Sequence, residues 1–251
     1  MSNSAAAHLK KKRVLLVDAV AWSPLYPPDS PNRNVGRWFS RWLEDLPGLS
    51  FQVANTEADL ARLAEHEADG VILSGSPRDA WGDDPVNEQL CSLALRCAEL
   101  GKPFLGVCYG HQILGRALGG KVARHPQGWE VGNTPVELTE AGRRSPLFAG
   151  LPQQISVLSS HADAVLDLPA GCDHTVRGGF TPIQGLEWKG LLFGVQFHPE
   201  TDPDTLRFLW SVRRDAWRGR VSFNLDRQLD EMTPTPQAAQ ILTNFVSQII
   251  P

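Results

Sequence analysis

Short apolar runs alternate with amphipathic stretches over the first half of the chain, and this alternation constrains the fold most strongly. We predict buried strands at residues 13–20, 51–54, 70–73 and 103–107. We predict helices at residues 35–46, 57–67, 85–100 and 110–118. Because parallel strands need a crossover connection, usually a helix, this pattern predicts a three-layer α/β/α fold with a mostly parallel central sheet.

The pattern of the sequence changes beyond Gly120. Short β-like segments broken by Gly, Pro and Asn follow at residues 121–124, 134–138, 155–158, 185–188 and 191–197. They predict a small antiparallel β extension rather than further crossovers. A C-terminal helical segment (204–251) then contains predicted helices at 204–217 and 238–250. No internal repeat or low-complexity linker interrupts the chain, so we expect residues 1–251 to form one domain.

Composition limits the kinds of partner that the protein is expected to bind and the compartment in which it is expected to lie. The formal charge of −4 argues against a nucleic-acid or membrane-surface partner. No apolar stretch approaches the roughly 20 residues that span a bilayer, and residues 1–8 do not resemble a secretory signal. We therefore expect a cytoplasmic protein. The four cysteines form no Cys-x-x-Cys pair, so we expect free thiols rather than a metal site or a redox dithiol.

The segment Gly106-Val107-Cys108-Tyr109-Gly110 joins a predicted buried strand to a predicted helix. It has the Gly-x-nucleophile-x-Gly pattern of a nucleophile elbow, in which glycines flank a strained, sharp turn. The elbow would place the Cys108 sulfur at a helix N-terminus, whose partial positive charge favours a thiolate. The pentapeptide alone also fits a buried cysteine in a strand-to-helix turn, and this alternative stays open.

A second candidate element is Gln196-Phe197-His198-Pro199-Glu200, at the end of an apolar run. His198 and Glu200 are two residues apart, so on an extended segment they project to the same side. The carboxylate can then orient one imidazole nitrogen while the other faces the thiol. His161 is the rival for the base, and we rank it below His198. We therefore expect Cys108 as nucleophile, His198 as base and Glu200 as orienting carboxylate.

These two segments, together with Leu73-Ser74-Gly75-Ser76-Pro77, resemble the signature of class I (triad) glutamine amidotransferases. The resemblance runs from about residue 70 to residue 200 and implies a flavodoxin-like α/β/α fold. It implies an oxyanion hole formed by the backbone amides of Ser76 and Tyr109. It also implies a site for the glutamyl part of the substrate, formed by Gly75, Gln112, Ser160, His161 and Asp163.

The resemblance further implies hydrolysis of a γ-glutamyl amide or isopeptide bond through a γ-glutamyl thioester, with no metal or organic cofactor. The segment 74–81 is most similar to stand-alone γ-glutamyl peptidases and γ-glutamyl-amide hydrolases, which favours a stand-alone enzyme. One alternative is a glutaminase subunit that delivers ammonia to a separate synthetase partner. A second is a non-catalytic binding or regulatory module. The leaving amine stays open between ammonia, a small or aryl amine and an amino acid.

Several other residues are expected to be background. Trp38, Trp42, Trp210 and Trp217 lie at helical spacings, which favours core packing, whereas Trp81 and Trp129 fall in loops near the motifs and are candidates to line the pocket. His111 is expected to be a packed helix residue. Cys172-Asp173-His174 is expected to lie in a solvated loop. The loop at residues 22–33, rich in Pro and Asn, is long enough to act as a flap over the site.

Overall fold

The structure, a computed structural model, describes residues 11–20, 34–54, 68–212 and 221–251. The predicted loop at 22–33, the predicted helix at 57–67 and the end of the predicted helix at 204–217 lie outside these residues. The strands are β1 (Lys12–Val17), β2 (Leu49–Ala54), β3 (Gly70–Leu73), β4 (Phe104–Val107), β5 (Lys121–Arg124), β6 (Glu130–Leu138), β7 (Gln154–His161), β8 (Asp163–Asp167), β9 (Asp173–Gly178), β10 (Ile183–Trp188) and β11 (Leu192–Val195).

Helices connect and cover these strands. They are α1 (Val35–Leu43), α2 (Pro85–Glu99), α3 (Tyr109–Ala117), α4 (Glu140–Arg144), α5 (Pro203–Val212), α6 (Leu225–Asp230) and α7 (Pro236–Asn244). A π-helical turn, Phe245–Ile249, continues α7, and a 3-10 turn covers Pro146–Phe148. Helix α2 begins as its sequence predicts: Pro85 occupies the first turn, and the Asp84 carboxylate accepts a hydrogen bond from the Val86 amide.

Nine strands form one mixed sheet in the order β2-β1-β3-β4-β11-β10-β9-β6-β7. The pairs from β2 to β11 are parallel, and those from β11 to β7 are antiparallel. Strands β5 and β8 form a separate antiparallel pair. The predicted fold class is confirmed, with mostly parallel central strands between helices and an antiparallel extension.

Apolar side chains of β1 alternate between two separate cores, which explains why this strand has no polar face. Val14 and Leu16 belong to the core that contains residues of α1 and α7. Leu15 and Val17 belong to the core that contains residues of α2 and α3. Since successive side chains of a strand point to opposite faces, the sheet is buried on both sides in a three-layer arrangement.

The antiparallel half departs from the sequence prediction at two strands. The sequence patterns do not indicate β8 or β9, and the assignment of Cys172-Asp173-His174 to a solvated loop is wrong because Asp173 begins β9. Strand β9 is held between β10 and β6 by pairing partners that are distant in sequence. The Nε2 atom of His174 lies 2.9 Å from the carbonyl oxygen of Val176.

Within the described residues, no helix combines the length and apolar character needed to cross a bilayer.

Candidate active site

Cys108 occupies a strained turn between β4 and α3. Its φ angle of 52° and ψ angle of −102° lie in a region that L-residues rarely adopt. A Cβ atom on Gly106 would come within 2.3 Å of the Gly110 carbonyl oxygen, and one on Gly110 within 2.3 Å of the Leu73 carbonyl oxygen. Positions 106 and 110 therefore accept only glycine, because β3, β4 and α3 approach each other too closely there for a Cβ atom.

His198 links the cysteine to a buried carboxylate. Its Nδ1 atom lies 2.7 Å from Oε1 of Glu200, which is 1% exposed, and its side chain interacts with Cys108 in the same cavity. Burial lowers the pKa of His198, but the charges of Glu200 and Cys108 and the hydrogen bonds to both exceed this effect. The pKa of His198 is therefore raised well above its ordinary value. This arrangement favours an imidazolium beside the sulfur.

Helix α1 holds the backbone of Glu200 in place, a role that no sequence motif indicated. The Nη2 atom of Arg41 and the Nε1 atom of Trp42 donate hydrogen bonds to the Glu200 carbonyl oxygen, at 2.7 and 3.1 Å. Arg41 also forms an ion pair with Asp202. Because the carboxylate of Glu200 contacts His198, these bonds connect α1 to the group formed by Cys108, His198 and Glu200.

The loop after β3 lies directly against His198 and Cys108. A Cβ atom on Gly75 would come within 3.0 Å of His198 Cε1 and 3.7 Å of Cys108 Cβ. The hydroxyl of Ser76 donates a hydrogen bond to the Ala19 carbonyl oxygen at 3.0 Å, and the Ser74 hydroxyl accepts one from the Ala19 amide at 3.0 Å. These bonds fix the loop next to the nucleophile, where the oxyanion hole is expected.

Tyr109 contributes to this region through its backbone. It is the first residue of α3, so no carbonyl within the helix accepts from its amide, and this amide lies next to Cys108 in sequence. Its side chain is fully buried, and its hydroxyl donates to the Asn87 side chain on α2. The phenol therefore anchors the start of the helix at a distance from the expected substrate.

His161 has a carboxylate partner that is distant in sequence, although Asp163 follows it at the spacing of His198 and Glu200. Its Nε2 atom lies 2.9 Å from Oε2 of Glu130, and its Nδ1 atom lies 3.0 Å from the Asp163 carbonyl oxygen. Glu130 reaches it from the neighbouring strand, where the two residues face each other in the β6–β7 register. Both ring nitrogens of His161 are engaged, which leaves neither for proton exchange with Cys108.

Asp163 lies at a charged end of the cavity. Its carboxylate is within 3.2 Å of Arg124 Nε and accepts a hydrogen bond from Trp81 Nε1 at 3.1 Å. Burial and the nearby Asp79 raise the pKa of Asp163 to about 6, against the opposing effect of Arg124. Gln112, a predicted substrate contact, donates a hydrogen bond from its side-chain amide nitrogen to the Asp163 carbonyl oxygen at 2.7 Å. This nitrogen is therefore engaged within the protein.

One cavity of about 350 Å³ brings these residues together. It is lined by nine of the ten predicted site residues, namely Gly75, Ser76, Cys108, Gln112, Ser160, His161, Asp163, His198 and Glu200. Trp38 and Trp210 pack against hydrophobic cores as expected, and both also line this cavity. Sequence reasoning also missed Arg78, Asp79 and Arg124, whose position at the cavity depends on contacts across the fold.

The other cysteines are free but differ from Cys108 in their surroundings. Burial raises the pKa of Cys91 to about 11 and that of Cys97 to about 12, and the pKa of Cys172 is raised to about 11 by the same cause. These thiols stay protonated at neutral pH.

His111 is fully buried, and burial lowers its pKa to about 3, so it stays neutral. The described residues contain no cluster of three or more His, Cys, Asp or Glu side chains arranged for a metal ion.

Comparisons with known proteins agree with the site. The profile of the family described as glutamine amidotransferase class-I matches residues 41–207. A GMP synthase [glutamine-hydrolyzing] of Aeropyrum pernix is 40% identical over 161 residues, which cover 64% of this chain and 30% of that protein. Gamma-glutamyl peptidase 5 of Arabidopsis thaliana is 34% identical over 140 residues, which cover 55% of this chain and 56% of that protein. The alignments thus span less than two thirds of either relative.

Solved structures share the fold. A glutamine amidotransferase from Thermotoga maritima superposes with a TM-score of 0.74 at 21% identity, over 96% of this chain and 99% of the other. A glutamine amidotransferase from Methylobacillus flagellatus superposes with a TM-score of 0.63 at 18% identity, over 94% of this chain and 91% of the other.

Proposed function

Since the chain belongs to the class I glutamine amidotransferase family, we propose that it hydrolyses a γ-glutamyl amide bond through a thioester on Cys108. The observation that carries this proposal is the imidazole of His198, which is held by the buried Glu200 carboxylate and lies beside Cys108 in the cavity lining. A cysteine in a strained turn at a helix N-terminus, paired with an oriented histidine, is the arrangement of an activated nucleophile.

The first half of the reaction transfers the γ-glutamyl group to sulfur. The thiolate of Cys108, whose proton is held by His198, attacks the γ-carbonyl carbon, and the carbonyl electron pair moves to oxygen. The amides of Ser76 and Tyr109 would donate hydrogen bonds to this oxyanion, each contributing about 3 kcal/mol of transition-state stabilisation. Collapse of the intermediate breaks the carbon–nitrogen bond, and the departing amine takes the proton from His198.

The second half hydrolyses the thioester. Neutral His198 removes a proton from water, and the resulting hydroxide attacks the thioester carbon. Collapse of this second intermediate breaks the carbon–sulfur bond, releases glutamate and restores the thiolate beside the imidazolium. Glu200 stabilises the imidazolium at both stages, which the raised pKa of His198 reflects. The balance is one amide and one water consumed, and one glutamate and one amine released.

The glutamyl part of the substrate would bind where the cavity is polar. Gly75, Gln112, Ser160, His161 and Asp163 line this part of the site. The ionised carboxylate of Asp163 suits the α-ammonium group of the substrate. The Glu130–His161 pair instead holds the backbone at Asp163, because His161 donates to the Asp163 carbonyl oxygen.

A second candidate is a glutaminase subunit that passes ammonia to a separate synthetase. The 40% identity to a GMP synthase of Aeropyrum pernix favours it, because the alignment covers 64% of this chain. This candidate uses the same triad and differs in what receives the amine. The intact triad counts against a third candidate, a non-catalytic binding module.

Glutamate release by the purified chain tests the proposal. We expect release from glutamine or another γ-glutamyl amide without any added protein, and no release by Cys108→Ala. If the chain alone releases no glutamate but becomes active when a separately purified synthetase is added, that result would support the second candidate. An inactive chain under both conditions would contradict both catalytic candidates.

A further inference from the structure

The cavity has an apolar wall in addition to its polar part. We define the apolar wall as Val20, Val35, Trp38, Trp129, Leu209 and Trp210. Trp38 and Leu209 pack against the same hydrophobic core as Val20 and Val35. Trp129 and Trp210 contact each other edge to face, with ring centroids 5.2 Å apart. A wall with three indole rings offers a large apolar surface next to the nucleophile, and ammonia, the amine released from glutamine, has no group that could use it.

Trp38 and Leu209 of the apolar wall lie on helices next to the segment that holds His198, whereas the Trp210 indole donates a hydrogen bond to Ser160 at 2.9 Å. Trp38 is one helical turn before Trp42, whose indole donates to the Glu200 carbonyl oxygen, so both lie on one face of α1. Leu209 lies on α5, which begins three residues after Glu200. The leaving amine must lie next to His198, since His198 supplies its proton. Substituents on that amine therefore face α1 and α5.

No described residue of the cavity lining offers an unpaired cation to a charged leaving group. Among the described lining residues the arginines are Arg78 and Arg124, and both are engaged with carboxylates. Arg78 forms an ion pair with Asp84, and Arg124 lies 3.2 Å from Asp79 and 3.2 Å from Asp163. An amino-acid leaving group would bring a carboxylate to an apolar wall, where burying an unpaired charge is unfavourable.

We propose that the preferred substrate is a γ-glutamyl amide of an apolar amine with an aromatic or large aliphatic substituent, and that Trp38 is the main specificity-determining residue. This inference rests on the proposed γ-glutamyl hydrolysis and specifies its leaving group. It differs from both an ammonia-releasing glutaminase and a peptidase that releases an amino acid.

Four substrates test the proposal: glutamine, γ-glutamylethylamide, γ-glutamylphenethylamide and γ-glutamylphenylalanine. The phenyl ring of the phenethylamide is two carbons from nitrogen, so it adds apolar surface with little change in amide reactivity. γ-Glutamylphenylalanine has the same side chain plus a carboxylate. We expect kcat/KM for the phenethylamide to exceed that for the ethylamide by at least about tenfold, and to exceed that for γ-glutamylphenylalanine as well.

Variants locate the preference. Trp38→Ala should bring the phenethylamide-to-ethylamide ratio of kcat/KM close to one. If Trp38→Ala does not fold, Leu209→Ala replaces it in the test and should lower the same ratio. A ratio measured on one preparation is independent of the fraction of folded protein. The matched control is Trp188→Ala on β10, because Trp188 packs against the core containing α2 and α3 and lies outside the cavity lining. This control should keep the wild-type ratio.

Equal kcat/KM for the ethylamide and the phenethylamide, or preference for γ-glutamylphenylalanine or glutamine, would overturn the inference while leaving γ-glutamyl hydrolysis intact. An equal drop of the ratio in Trp38→Ala and Trp188→Ala would overturn the assignment of Trp38. Hydrolysis of none of the four substrates would overturn the proposed function itself, together with the inference that rests on it.

Discussion

The Oε1 atom of Glu200 lies 2.7 Å from the Nδ1 atom of His198, while the Glu200 backbone carbonyl is held by α1. The same cavity contains a second histidine–carboxylate pair, formed by His161 and Glu130 at 2.9 Å. The two pairs differ in what the other side of the imidazole ring contacts. His198 contacts the sulfur of Cys108, whereas His161 donates to a backbone carbonyl. This difference underlies the assignment of His198 as the base.

Replacing the Glu200 carboxylate should lower the pKa of His198 and the rate of turnover. In Glu200→Gln we expect kcat to fall on the order of 100-fold or more, because the imidazolium loses its counter-charge. A histidine titration by NMR should show the lower pKa. Glu99→Gln, an exposed substitution on α2, should change neither quantity. An unchanged histidine titration in Glu200→Gln would contradict the assigned pairing.

The same substitution has a predictable effect on stability across pH. The pKa of His198 is raised in the folded state, so its contribution to stability is fully present below the unfolded pKa of about 6.5. The contribution is lost as the pH rises through the folded-state pKa. Denaturant unfolding should therefore show a larger loss of stability in Glu200→Gln at pH 6 than at high pH.

The contacts between α1 and Glu200 should matter for turnover more than for substrate binding. In Trp42→Phe the ring still packs, but the hydrogen bond to the Glu200 carbonyl oxygen is lost. One such bond contributes about 1 kcal/mol, so we expect kcat to fall about fivefold with a small change in KM. Arg37→Ala, at an exposed position of the same helix, is the control. A change confined to KM would place Trp42 in substrate binding instead.

The pKa of about 6 at Asp163 predicts how substrate affinity depends on pH. Below pH 6 the carboxyl group becomes protonated and loses its attraction for the substrate α-ammonium group, so KM should rise as the pH falls through about 6. Asp163→Asn should have a high KM at every pH. Because the folded-state pKa is raised, the ionised carboxylate lowers stability above pH 6, and this effect disappears below about pH 3.8. A flat wild-type KM profile between pH 5 and pH 7 would contradict the role.

Gly110 should tolerate no side chain. In Gly110→Ala the new Cβ atom would meet the Leu73 carbonyl oxygen at 2.3 Å, which requires a shift of backbone. We expect a loss of about 3 kcal/mol in the free energy of unfolding, measured by denaturant titration. The matched control is Gly179→Ala, because a Cβ atom at this exposed position meets nothing within 4 Å. Equal stability of the two variants would contradict the close contact between α3 and β3.

The sequence predicts the parts of this site that depend on local geometry. His198 and Glu200 are two residues apart at the end of an apolar run, and Gly106 and Gly110 flank the cysteine, so these motifs indicate the local arrangement. Glu130 and His161 are 31 residues apart and meet only because β6 pairs with β7 in one register. Spacing in the sequence carries no information about that register, so it does not reveal the partner of His161.

The same distinction applies to the fold and to the cavity wall. Strands β3 and β4, and β1 from Val14 onward, are apolar runs buried on both faces, and their sequences indicate this directly. Strand β9 escapes sequence prediction because its pairing with β10 and β6 stabilises a segment that follows a Gly-rich turn. Helical spacing favours the core for Trp38, because it shows which face of α1 is apolar but not that a cavity borders that face.

Trapping the covalent intermediate tests the central claim most directly. Protein mixed with a γ-glutamyl amide and quenched in acid should show, by mass spectrometry of its peptides, one γ-glutamyl group on the peptide that contains Cys108. Cys108→Ala should show neither the adduct nor glutamate release. Glutamate release by Cys108→Ala, or an adduct on Cys91, Cys97 or Cys172 in place of Cys108, would contradict the account.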